Sequence, residues 1–138
     1  MASIFGPKPA TDAATAGMEI VRVTVALLIF IHGAARLIAG GVAPFGAWLD
    51  SLGFPVGIAF ASAVTGYELI APLLILARRY VMAACIGHIA ILFLGMILVH
   101  LPAGWFVVGL GRNGMEYSVL LIAALSAVAW AYRPVMKM

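Results

Sequence analysis

The sequence predicts an all-α fold: an integral membrane four-helix bundle built of antiparallel up-down hairpins, with both termini cytoplasmic. Three observations predict it. The chain is 65% hydrophobic and only 9% charged, where a soluble domain carries about 25% charged residues. Its mean hydropathy is +1.17, and four apolar runs, each near the roughly 20 residues that cross a bilayer, take up most of the 138 residues. The basic residues sit mainly at the ends of those runs and favour one side.

Each element follows from the chain in order. Residues 1–17 hold one lysine, two prolines and several small residues, and read as a flexible N-terminal tail. The apolar run after it, from Met18 to about Gly40, is longer than the 7–15-residue core of a secretory signal, so it reads as the first span. The remaining spans are expected at about 55–77, 80–100 and 115–132, which makes 18–132 one transmembrane domain and 133–138 a cytoplasmic C-terminal tail. The short Arg78-Arg79 connection makes its flanking helices an antiparallel hairpin. Positive-inside counting then puts Lys8, Arg78, Arg79, Arg133 and Lys137 on the inner side, against Arg112 and the helix-end Arg36 outside. Aromatic residues fall at interfacial depths, with Tyr80, Trp130 and Tyr132 inside and Trp48 and Trp105 outside.

The outer connections, residues 41–54 and 101–114, are apolar and aromatic but broken by Gly and Pro. Neither is long enough to span. Each is expected to lie in the outer interface or to fold partly back over the bundle mouth, because unpaired backbone cannot face lipid.

Composition excludes several functions. So short and apolar a chain leaves no room for a polar catalytic domain. A net charge of +3 carried at span ends is a topology signal and no sign of nucleic-acid binding. The single cysteine, Cys85, allows neither an intrachain disulfide nor a thiolate metal cage. No other metal-binding motif is present.

Ionisable residues within spans are costly and face the bundle interior in pairs. At 100° per residue, Glu19, Arg22, His32 and Arg36 fall within an arc of about 140° on the first helix. Counting about 1.5 Å per residue from the inner ends puts Arg22 about 6 Å deep, Glu68 about 13 Å and His88 about 12 Å. These three are expected to form an inner polar layer in which Arg22 bridges Glu68. His32, Arg36, His100 and Glu116 belong to the outer half, where with Trp105 they form a candidate ligand site. The plain structural readings are that Arg22–Glu68 holds helix register, His88 packs, Glu19 complements the start of its helix, and Arg36 snorkels.

The succession Arg22, then His32-Gly33 followed by a basic residue, resembles the first helix of the DoxX family of small bacterial inner-membrane proteins. So does Leu52-Gly53-Phe54-Pro55 before a helix with Gly66-Tyr67-Glu68 and the run Leu73-Leu74-Ile75-Leu76. A basic turn, His100 ending the third helix and Gly-x-x-x-x-Glu116 opening the fourth complete a likeness that covers about residues 18–132. Arg22, His32, Glu68, His100 and Glu116 match the family's polar pattern. Arg36 stands where lysine is expected, and Pro72 stands where glycine is usual, one turn past Glu68. The resemblance implies a multi-pass membrane subunit or partner of a redox system, in some members one oxidising thiols or sulfur compounds and delivering electrons to quinone.

A quinone beneath the outer loops needs proton donors near two carbonyl oxygens. His32, His100 and Glu116 are the candidates, with Trp105 or Phe106 against the ring. The partners expected are the lipid bilayer and either a soluble redox protein or further copies of the chain. One alternative is a non-catalytic anchor or assembly factor, with Ala59, Ser62, Ala63 and Gly66 making helix contacts. Another is a small transporter or lipid-binding protein using the first-helix stripe, which four helices would accommodate only on oligomerising.

Overall fold

The computed structural model describes residues 11–133, which contain helices and no strand. The helices are α1 (Thr11–Ile38), α2 (Val42–Ser51), α3 (Gly57–Leu76), α4 (Val81–Gly95) and α5 (Glu116–Ala131). A single π-helical turn, Met96–His100, prolongs α4. Three of these stretches, α1, α3 and Val81–His100, are long and apolar enough to cross a membrane. The 16-residue α5 is shorter but equally apolar.

The helices begin and end close to the sequence boundaries except at the start. α1 is already helical at Thr11, so Thr11–Gly17, expected in a flexible tail, belong to a helix. This stretch is rich in alanine, the best helix former, and has Asp12 in its first turn, where a negative charge favours the helix. Lys8 and Lys137 lie outside the described residues.

Residues 42–51 correct a second expectation, because they form a helix where a broken interfacial loop was expected. The helix is bounded by two glycines in the left-handed region, Gly40 (φ 68°) and Gly53 (φ 87°), which end α1 and α2 at low cost. It packs across the start of α3 at a backbone-to-backbone approach. A Cβ on Gly46 would meet Ile58 Cα at 2.8 Å. The Asp50 carboxylate accepts the Gly57 N–H at 2.6 Å, satisfying a donor that the first turn of α3 leaves open.

Contacts join α1 to α3, α3 to α4, α4 to α5 and α5 back to α1. The close core, with Val25, Ala26, Ala71, Ile75, Cys85 and Leu125 among its members, sits in the half nearest the α3–α4 turn. Large apolar side chains face outward all round: Ile20, Ile38, Ile70 and Leu120 are more than 60% exposed. So continuous an apolar surface suits a lipid environment.

Candidate functional site

The site starts from a glycine. Gly33 is buried against α3, and a Cβ on it would stand 2.8 Å from Glu68 Cβ. This close approach lets Arg36, one turn along α1, form an ion pair with the Glu68 carboxylate. The same guanidinium donates to Thr65 Oγ1 at 3.3 Å and to His32 Nε2 at 2.8 Å. It also lies 4.7 Å from the centre of the Phe45 ring on α2. The pair is largely withdrawn from solvent, with side-chain exposures of 17% for Arg36 and 9% for Glu68.

Arg36 and Glu68 form part of the wall of a cavity of about 530 Å³ between α1, α3, α4 and α5, roofed by α2. Most of its lining is apolar. Phe45, Trp48, Phe54 and Phe60 give it an aromatic side, and His32, His88, His100, Tyr117 and Ser118 add polar groups. His88 is 1% exposed, and its Nε2 has no hydrogen-bond partner among the described residues. The Tyr67 ring meets the imidazole edge-on at 4.8 Å, and the Tyr67 hydroxyl donates to Ala84 O at 3.1 Å.

The second polar cluster lies at the other end of the helices. Glu19 Oε2 accepts hydrogen bonds from Arg22 and Arg78, each at 2.7 Å, and Glu19 Oε1 accepts the Tyr132 hydroxyl at 2.5 Å. Arg22 also donates to two carbonyls at the end of α3, Ile75 O at 2.5 Å and Leu76 O at 3.2 Å; Ile75 O accepts the Arg78 N–H as well. In the α3–α4 turn, the bond to Glu19 pushes the Arg78 guanidinium above its usual range.

Arg22 therefore does not bridge Glu68. It faces the last turn of α3, seven to eight residues from Glu68, which is about 11 Å along the helix. The expected pairing assumed that α1 starts at Met18, whereas the packing sets Gly33 against Glu68 and leaves Arg36 to reach the carboxylate. Glu19 does not complement a helix start either, because it lies two turns inside α1. Nor do the polar residues divide as expected, since Glu68 and His88, placed in an inner layer with Arg22, line the same cavity as His32, Arg36 and His100.

Trp105 and Glu116 are not in that wall. Residues 101–115 fold on themselves, with Met115 N–H donating to Gly104 O and Glu116 N–H to Trp105 O, both at 3.0 Å. Glu116 Oε1 accepts the Val107 N–H at 2.9 Å, and His100 Nδ1 lies 2.8 Å from Asn113 O. Glu116 thus closes a loop, while Trp105 stays about half exposed on it. Sequence reasoning missed Phe45 and Trp48, although their spacing with Leu49 (i, i+3, i+4) is that of one helix face.

Among the described residues, no three or more His, Cys, Asp or Glu side chains are grouped so as to hold a metal ion. The chain matches no protein-family model, no curated protein and no solved structure.

Proposed function

We propose that this chain is a multi-pass protein of the bacterial inner membrane, a DoxX-like four-helix bundle whose cavity binds the head group of a membrane quinone for a redox partner. In this reading the helices run up and down with both termini cytoplasmic. Arg78, Arg79 and Arg133 then lie on the inner side, as positive-inside counting requires.

The observation that carries the reading is the cavity itself. An apolar and aromatic wall beside a few convergent polar groups is the usual make-up of a small-molecule site. A quinone ring stacks on aromatic side chains such as Phe45 and Trp48. Its carbonyl oxygens need donors, which His32 and the Arg36–Glu68 pair place in the wall. Reduction to the quinol takes two electrons and two protons; the electrons come from the soluble partner, and the histidines pass protons.

The test uses the protein purified in mild detergent. Lipid extracts are expected to contain quinone, and added quinone is expected to quench Trp48 in a Trp105→Phe, Trp130→Phe background. Extracts without quinone, together with unquenched Trp48, would end this reading. A second reading, a non-catalytic anchor or assembly factor, is favoured by the Glu19 cluster, whose bonds tie α1 to the end of α3, the α3–α4 turn and the end of α5. It expects alanine at His32 and His100 to leave the phenotype intact.

A further inference from the structure

We propose that His88 anchors the head group of a membrane amphiphile whose tail leaves the cavity toward the lipid-facing surface. The inference deepens the quinone reading and depends on it only for the identity of the ring.

The first argument is hydrogen bonding. Of the polar groups in the cavity wall, Arg36 bonds Glu68, Thr65 and His32, and His100 Nδ1 lies 2.8 Å from Asn113 O. Among the described residues, His88 Nε2 is the one buried side-chain nitrogen or oxygen without a hydrogen-bond partner. Buried nitrogens that stay unpaired are disfavoured, so a ligand bringing a polar atom to this nitrogen gains what a purely apolar filler does not. An imidazole nitrogen donates in one tautomer and accepts in the other. The same nitrogen therefore suits the carbonyl of an oxidised ring and the hydroxyl of a reduced one.

The second argument is the shape of the α3–α4 seam. Near the turn the two helices are locked together, with the Tyr67 ring against Gly87 and its hydroxyl on Ala84 O. Farther from the turn, Phe60 on α3 and Leu94 on α4 both line the cavity, yet they are 45% and 53% exposed. Leu28 on α1 and Tyr117 on α5 also line the cavity and are 41% and 47% exposed, so its wall meets the lipid-facing surface on both sides. A ligand entering there needs an apolar tail and one polar end.

The experiment compares His88→Leu and His88→Gln in lipid nanodiscs, with Trp48 as the only tryptophan. Glutamine places an amide near the Nε2 position and leucine places none. The probes are a long-tailed isoprenoid quinone, the same ring without a tail, and a fatty acid carrying a nitroxide quencher. The tailed quinone is expected to bind His88→Leu about tenfold or more weakly than the parent, the equivalent of roughly 1.4 kcal/mol, and His88→Gln close to the parent. The tail-free ring is expected to bind the parent at least about tenfold more weakly than the tailed one.

If only the fatty acid quenches, and His88→Leu weakens it, the anchor stands and the quinone reading falls. Equal binding of the tailed quinone to His88→Leu and parent overturns the inference while sparing that reading, and so does equal binding of tailed and tail-free rings. If no probe binds the parent, both fall. Should His88→Leu fail to accumulate, His88→Asn replaces it. Its shorter amide falls short of the Nε2 position, so weak binding by asparagine beside full binding by glutamine supports the anchor, and equal binding by the two refutes it.

Discussion

Glu68→Gln tests the central pairing of the site. The substitution keeps side-chain size and removes the charge that faces Arg36. The guanidinium, 17% exposed, would keep His32, Thr65 and the Phe45 ring but lose its counter-charge. Breaking a buried ion pair by removing one partner costs about 3–5 kcal/mol. The contact with the Phe45 ring, of a kind worth roughly 0.5–2 kcal/mol, persists, so the lower end applies. A loss of about 3 kcal/mol is a change of more than about 100-fold in the folding equilibrium. The double variant Arg36→Met, Glu68→Met removes both charges and is expected to lie within about 2 kcal/mol of the parent, or above it. Reversible unfolding in mixed micelles with rising SDS, followed by circular dichroism, measures all three. A double-mutant cycle should give strong coupling between positions 36 and 68, and less than about 0.5 kcal/mol between 22 and 68. A cost below about 1 kcal/mol for Glu68→Gln, or stronger coupling of 68 to 22 than to 36, would refute the argument.

The close approach at Gly33 predicts that Gly33→Ala loses about 1–3 kcal/mol in the same assay, because the new Cβ must push α1 away from Glu68. Gly95→Ala is its control: a Cβ there meets nothing within 4 Å, so stability should hold or rise by up to about 1 kcal/mol. Glu19→Ala removes the acceptor shared by Arg22, Arg78 and Tyr132, and trypsin should cut the Arg78-Arg79 turn several times faster than in the parent, about 1 kcal/mol of local opening. Glu116→Ala leaves the Val107 N–H without its acceptor, and amide exchange in residues 101–115 should speed up about tenfold with little change near Glu19.

The helices were legible because their evidence is local: long apolar runs, Gly-Pro breaks and charges at run ends. The side-chain partners were not. Whether Arg22 or Arg36 meets Glu68 depends on how far α1 slides along α3, and both arginines lie on the same stripe of α1. The slide is set by Gly33, whose missing side chain admits Glu68, and a lone glycine in an apolar helix does not announce its neighbour. Depth and the first-helix stripe place His32, Arg36 and His100 together in the outer half, and all three line the cavity. Glu116 and the loop residue Trp105 lie outside its wall, because 101–115 satisfies its backbone within itself. α2 was hidden by its composition: Pro44, Gly46 and Gly53 read as breaks, yet a proline in the first helical turn is tolerated, Gly46 permits the contact with α3, and Gly53 ends the helix.

The two polar clusters differ in a way that bears on selectivity. At the Glu19 end the carboxylate accepts two guanidinium groups and a hydroxyl, and Arg22 also bonds carbonyls at the end of α3. In the cavity the groups around Arg36 satisfy one another, whereas His88 Nε2 is left over. The make-up of the wall bears on the same distinction, because most of it is apolar and aromatic. Lipid acyl chains can supply the volume, but they offer nothing to an imidazole nitrogen. On the proposed reading an amphiphile with a polar ring supplies both, so the affinity difference between the two fillers is expected to rest on the hydrogen bond at His88.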